Sequence, residues 1–124
     1  MQSILVVDDD SQIRNLLKTF LRDEGYLVSD ARNGQQAIEM CKLKKYELFI
    51  VDIYMPGKDG IAFIEELLEF SPEAKIIAIS GGEQCHFFTS TVKLNSAISK
   101  GALVTMQKPF QLEKLLSIVK EIVP

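Results

Sequence analysis

Asp8, Asp9, Asp10, Asp52, Ser80 and Lys108 are the residues whose types and placement could do chemistry, because each closes or directly follows a short apolar run. A carboxylate can attack phosphorus and form an aspartyl-phosphate when the charge on the transferring oxygens is neutralised and the attacking oxygen is held in line. Clustering carboxylates is costly: at about 5 Å and an effective dielectric of about 20, each ionised pair repels by roughly 3 kcal/mol. A divalent cation offsets that repulsion. An all-oxygen donor set with no His or Cys beside it suits Mg²⁺ better than Zn²⁺, and there is no ligand-dense loop to favour Ca²⁺. Asp52 would attack, Asp8 and Asp9 would hold the metal together with Asp52 itself, and the backbone carbonyl of Tyr54 would supply a further ligand. Lys108 would pair with one phosphoryl oxygen and the Ser80 hydroxyl would donate to another. Singly, several of these have ordinary readings. Asp10 with Ser11 can begin a helix, Ser80 can start a turn with Gly81-Gly82, and Lys108 can be a solvated loop lysine. Their convergence carries the functional reading.

The elements that must position them follow a βα rhythm with no internal repeat. Ile4-Leu5-Val6-Val7, Leu48-Phe49-Ile50-Val51 and Ile76-Ile77-Ala78-Ile79 are continuously apolar and rich in β-branched residues, as strands covered on both faces are. Leu27 to Ala31 and Leu103 to Gln107 are interrupted by polar residues and suit the margins of a sheet. Ile13, Leu16, Leu17, Phe20 and Leu21 follow helical spacing, with Ser11 placed to cap and Gly25 placed to stop the helix. Leu112, Leu115, Leu116, Val119, Ile122 and Val123 form a second stripe, and shorter helices are expected around Ala37 to Lys44 and Ile61 to Leu68. The polar, Ser/Thr-rich segment from Gly81 to Lys100 would hold a fourth, irregular helix. Five βα units imply an α/β fold: a flavodoxin-like, doubly wound (βα)5 three-layer sandwich with parallel strand order 2-1-3-4-5. Ligands of such sheets bind beyond the carboxyl ends of the strands where the order reverses, here between strands one and three.

The gross numbers narrow the setting. A chain of 124 residues is expected to form one domain over 1–124. Hydrophobic residues at 47% and charged residues at 25% exclude a largely disordered chain. A net charge of -3 without a basic block offers no footprint for nucleic acid or an anionic membrane. No apolar run has the length of a membrane span or the flank of a signal peptide, so the chain reads as cytoplasmic. Cys41 and Cys85 lack metal-ligand spacing and read as plain thiols.

These residues together resemble the receiver domains of two-component response regulators. The likeness covers essentially the whole chain and rests on Ile4 to Asp10, on Asp52-Ile53-Tyr54-Met55-Pro56-Gly57-Lys58-Asp59-Gly60, on Ile77 to Gly82 and on Gln107-Lys108-Pro109-Phe110. It implies a phosphorylation-dependent switch in which Asp52 takes a phosphoryl group from a sensor histidine kinase or a histidine phosphotransfer protein in a Mg²⁺-dependent reaction. Such a domain is no free-standing enzyme, although it catalyses its own phosphorylation and slow hydrolysis. Asp8 and Asp9 match the family's acidic pair, Ser80 its hydroxyl position and Lys108 its lysine, which in the family usually precedes a cis proline. The signal would pass to the face made by the fourth helix, fifth strand and fifth helix, and from there to a downstream protein or an output domain outside this chain.

Two departures stand out. Thr105 occupies the place where many receivers carry a switching Tyr or Phe. The stretch between Ser80 and Lys108 is lengthened, and includes His86, Phe87 and Phe88; the histidine reads as a loop side chain and the phenylalanines as partial core. Among rival readings, a stand-alone phosphorelay intermediate stays open beside a fragment of a longer regulator. A phosphatase of haloacid dehalogenase type would need a second aspartate two residues after the nucleophile, where Tyr54 stands. A flavin-binding module would place a phosphate beside Asp8-Asp9-Asp10, which would repel it.

Overall fold

The computed structural model describes residues 2–53, 60–80 and 101–123. The helix expected between Gly81 and Lys100, together with Cys85, His86, Phe87, Phe88 and the Tyr54 carbonyl, lies outside the described residues. Five strands, β1 (Ser3–Val7), β2 (Leu27–Ala31), β3 (Leu48–Asp52), β4 (Lys75–Ser80) and β5 (Val104–Gln107), form one sheet in the order β2-β1-β3-β4-β5. Every pairing is parallel. The polar-interrupted segments are the two edges, as their patterning requires, and the continuously apolar ones lie inside.

Alternation along each strand divides the core in two. Ile4 and Val6 of β1 turn to one face with Ile50, Ile77, Ile79 and Met106, and are covered by Leu17 and Leu21 of α1 (Ser11–Asp23) and by Leu115 and Val119 of α4 (Leu112–Ile122), the C-terminal helix. Leu5 and Val7 turn to the other face with Phe49, Val51 and Ala78. There they meet Ala37 and Ile38 of α2 (Gly34–Leu43) and Phe63, Ile64 and Leu67 of α3 (Gly60–Phe70). This is the three-layer, flavodoxin-like arrangement expected. Ile4, Leu5, Val7, Leu48, Val51, Ile76 and Ile77 are wholly buried, so the sheet interior is apolar up to the residues that end its strands.

Local chemistry sets the helix ends, with one correction to the sequence reading. Asp10, not Ser11, caps α1: its backbone is extended, its carboxylate accepts from the Gln12 amide at 2.9 Å, and Ser11 is already helical. Gly25 ends that helix as expected. Its φ of +99° is a left-handed conformation that costs glycine little, and its amide donates to the Arg22 carbonyl at 3.0 Å. The second helix begins at Gly34, earlier than Ala37, because Asn33 accepts from the Gln36 amide while the Gln36 side chain accepts from the Arg32 amide, a reciprocal cap. The stripe on α1 is broader than the face it buries. Leu17 and Leu21, one turn apart, meet the sheet, whereas Leu16 is 52% exposed on the flank. Among the described residues, no helix is long and apolar enough to cross a membrane.

Candidate functional site

The carboxyl ends of β1, β3, β4 and β5 deliver the expected residues to one edge. Asp52 is the last residue of β3, and the next amide, Ile53, donates to the Ile79 carbonyl of β4 at 2.9 Å. Asp8 follows β1, and its amide donates to Ala31 of β2 at 3.1 Å. Ser80 ends β4 with no exposure and accepts at its carbonyl from the Lys108 amide at 2.7 Å, which extends the β4–β5 pairing past Gln107. The Lys108–Pro109 peptide bond is cis.

Parallel pairing brings together side chains that are far apart in sequence. The Lys108 ammonium lies 3.0 Å from Asp8 Oδ2 and 3.4 Å from Asp52 Oδ2, and so bridges the two carboxylates. Both are buried, at 3% and 5% exposure, and the lysine side chain is 12% exposed. Burial by itself would lower the Lys108 pKa, but the charges of Asp52 and Asp8 outweigh it and hold the ammonium above its ordinary value. The second Asp8 oxygen accepts from the Asp10 amide at 2.9 Å, so both of its oxygens are engaged.

The three consecutive aspartates have three different fates. Asp8 turns inward, Asp10 caps α1, and Asp9 stays exposed at the mouth of the site. Desolvation first, and then the neighbouring Asp8 charge, raise the Asp9 pKa, against a smaller lowering effect of Lys108. Asp8, Asp9 and Asp52 each present a carboxylate oxygen within 4.8 Å of the others. That donor set is all oxygen, small, open on the Asp9 side, and fits a hard divalent cation such as Mg²⁺ that keeps several waters. It does not fit Zn²⁺, which favours nitrogen and sulfur ligands.

Gly60, read from sequence only as the end of a motif, and the pair Arg14 and Asp30, not singled out there, take part in building the site. Gly60 opens α3 directly against the Asp52 peptide: a Cβ there would collide with the Asp52 carbonyl oxygen and Ile53 Cα. Arg14 and Asp30 form an ion pair at 2.8 Å beside the acidic cluster, with Lys18 on the other Asp30 oxygen at 3.1 Å. A charged residue inside a short strand was the available signal for Asp30; nothing local singles out Arg14 on a polar helix face. Cys41 is half-buried, and burial pushes its thiol up to about 11, so it is no nucleophile at neutral pH.

The sheet is that of a doubly wound α/β protein, and its lysine-bridged acidic cluster sits where the strand order reverses, the place at which such sheets bind their ligands. The chain belongs to the response regulator receiver domain family, whose model matches residues 4–120. It is therefore a signalling domain of the two-component kind. The chemotaxis protein CheY of Halobacterium salinarum is 33% identical over 121 residues, covering 98% of this chain and 96% of that one. The transcriptional regulatory protein ZraR of Klebsiella oxytoca is 34% identical over 118 residues, but the chain spans only 25% of its length. Among solved structures, the response regulator TrrA of Thermotoga maritima in complex with Mg²⁺-BeF superposes with a TM-score of 0.82 at 33% identity, covering 99% of this chain and 100% of that one. The receiver domain of NtrX from Brucella abortus gives 0.86 at 30% identity, over 97% of each chain.

Proposed function

We propose that Asp52 is the phosphoryl acceptor of a two-component switch and that phosphorylation there sets the state of the domain. The observation that carries this is the Lys108 ammonium held between Asp8 and Asp52, with Asp9 close enough to share a cation. In the reaction, an Asp52 carboxylate oxygen forms a bond to phosphorus as the bond from phosphorus to a histidine nitrogen of the donor breaks. The imidazole leaves and regains a proton. Asp8, Asp9 and Asp52, with the Tyr54 carbonyl, are the residues that would hold Mg²⁺, and the ion supplies charge neutralisation at the phosphoryl oxygens. Lys108 is poised to exchange its contact with Asp52 for a phosphoryl oxygen, which keeps its ion pair with Asp8. The buried Ser80 hydroxyl donates to a second oxygen. A TrrA complex with Mg²⁺-BeF in a relative of the same fold supports the choice of metal.

The donor on this reading is a phosphohistidine of a sensor kinase or phosphotransfer protein. The readout is a docked protein or an attached output domain, because relatives include both proteins of this length and longer regulators. The relay differs from one built on an aromatic flip: Thr105 of β5 pairs with Ala78 of β4, on the α2/α3 side of the sheet, and offers a hydroxyl where a ring would swing. The test is labelling with acetyl phosphate or phosphoramidate in Mg²⁺. One phosphoryl group per chain is expected, and Asp52→Asn abolishes it. Labelling that survives in Asp52→Asn overturns the assignment.

A further inference from the structure

Asp8 is tied down at every polar atom. Its amide donates to Ala31, its side-chain oxygens take the Asp10 amide and the Lys108 ammonium, and its carbonyl accepts from Arg14 Nη1 at 2.8 Å. Three of those contacts come from the strand ladder, the adjacent turn and the bridging lysine. The fourth comes from α1, through a guanidinium that is itself fixed elsewhere: Arg14 Nε donates to Asp30 Oδ2 at 2.8 Å, and Lys18 holds the other Asp30 oxygen at 3.1 Å. The side chains of Arg14 and Asp30 are only 17% and 25% exposed, so the pair is largely shielded from water. Asp30 immediately precedes Ala31, the residue that receives the Asp8 amide. The chain from β2 through Arg14 therefore closes on the Asp8 peptide from both sides.

We propose that Arg14 is a positioning residue: anchored to Asp30, it holds the Asp8 carbonyl and thereby sets the backbone that aims Asp8 and Asp9 at their shared cation. This rests on the reading of that cluster as a Mg²⁺ site. Arginine suits the task because one rigid guanidinium reaches two acceptors through separate nitrogens, which a lysine ammonium on a flexible stem does less well. A group that orients a metal ligand commonly changes metal affinity when removed, although it never touches the metal.

The charge of Arg14 makes the idea testable. If Arg14 acted on the site only through its field, removing a positive charge would tighten Mg²⁺ binding; if it positions Asp8, removal weakens binding. The chain has no tryptophan, so Mg²⁺ affinity is read by titration calorimetry on the folded protein, well below its thermal midpoint. Arg14→Met is expected to bind Mg²⁺ roughly tenfold more weakly. Asp30→Asn is expected to weaken it in the same direction, and the double variant to bind no worse than Arg14→Met alone, because Asp30 acts through Arg14. Unchanged or tighter Mg²⁺ binding in Arg14→Met overturns the proposal, as does full additivity in the double variant. A merely structural role would lower the midpoint and leave affinity unmoved, which also overturns it. Should Arg14→Met fail to fold, Arg14→Lys keeps the charge but loses the two-acceptor reach of the guanidinium, so weaker Mg²⁺ binding is expected there too and unchanged affinity is likewise a refutation. Failure of the parent reading looks different: a wild-type chain that takes up no Mg²⁺ overturns both, whereas wild-type uptake with unaltered variants overturns only the role of Arg14.

Discussion

Replacing Lys108 by methionine keeps the aliphatic stem and removes the ammonium that, among the described residues, bridges Asp8 and Asp52. At 3.0 and 3.4 Å, with an effective dielectric of about 20, the ammonium attracts each carboxylate by roughly 5 kcal/mol. Desolvating the ammonium and both carboxylates offsets much of that gain, so the quantity to compare is the measured cost of leaving buried charge unpaired, about 3–5 kcal/mol. Lys108→Met in EDTA at pH 7 is therefore expected to lose about 3–5 kcal/mol in urea unfolding, a large part of the roughly 5–15 kcal/mol typical of a domain. The pH dependence has a definite sign. Because the folded-state pKa of Lys108 is raised, its contribution is fully present below 10.5 and disappears as pH climbs through the higher folded value. Mg²⁺ should reverse the defect, since the ion enters a more negative site and no longer competes with an ammonium. The variant should accordingly bind Mg²⁺ more tightly than wild type, and at a concentration of 100 times Kd the ion adds about 2.7 kcal/mol. Adding Asp52→Asn to Lys108→Met should restore part of the stability in EDTA, as it removes one of the stranded charges. A Lys108→Met protein within about 1 kcal/mol of wild type in EDTA, a loss of the size an exposed ion pair gives, refutes this picture of the bridge.

Other expectations concern the rest of the site. Asp9→Asn should stabilise the metal-free protein at neutral pH and lose most of the stabilisation by Mg²⁺. A carboxyl whose folded pKa is raised costs stability once pH passes through that value, and thermal unfolding with and without the ion reads both effects. Gly60→Ala should destabilise the fold by about 1–3 kcal/mol in urea, because the methyl would press on the Asp52 carbonyl, and should slow labelling at Asp52. For Asp30, burial alone would raise the pKa, but hydrogen bonds from Lys18 and Arg14 outweigh it and hold the carboxyl below its ordinary 3.8. Its contribution is therefore present above 3.8 and lost as pH falls through the lower folded value, so an Asp30→Asn protein should show a shallower acid limb in unfolding below 3.8.

Much of this architecture is local and was legible residue by residue. Unbroken runs such as Leu48 to Val51 can only be buried on both faces, polar interruptions in Leu27 to Ala31 belong at an edge, and Gly25 can only end a helix there. Those facts, with the right-handed crossover, leave little choice of topology, and the topology already brings Asp8, Asp52, Ser80 and Lys108 to one edge. What local pattern does not contain is orientation. Asp8, Asp9 and Asp10 are identical in type and adjacent in sequence, yet one is buried against a lysine a hundred residues away, one stays at the mouth of the site, and one caps a helix. Only the registers of β1 with β2 and β3 and the start of α1 separate them. Arg14 and Asp30 are similar: each reads alone as a solvated charge, and their pairing exists because α1 packs back across β2. Side-chain type and period set which residues could meet at the edge. The packing of the helices against the sheet decides which atoms do meet there, since hydrogen bonds and ion pairs depend on distances of a few ångströms that no spacing along the chain encodes.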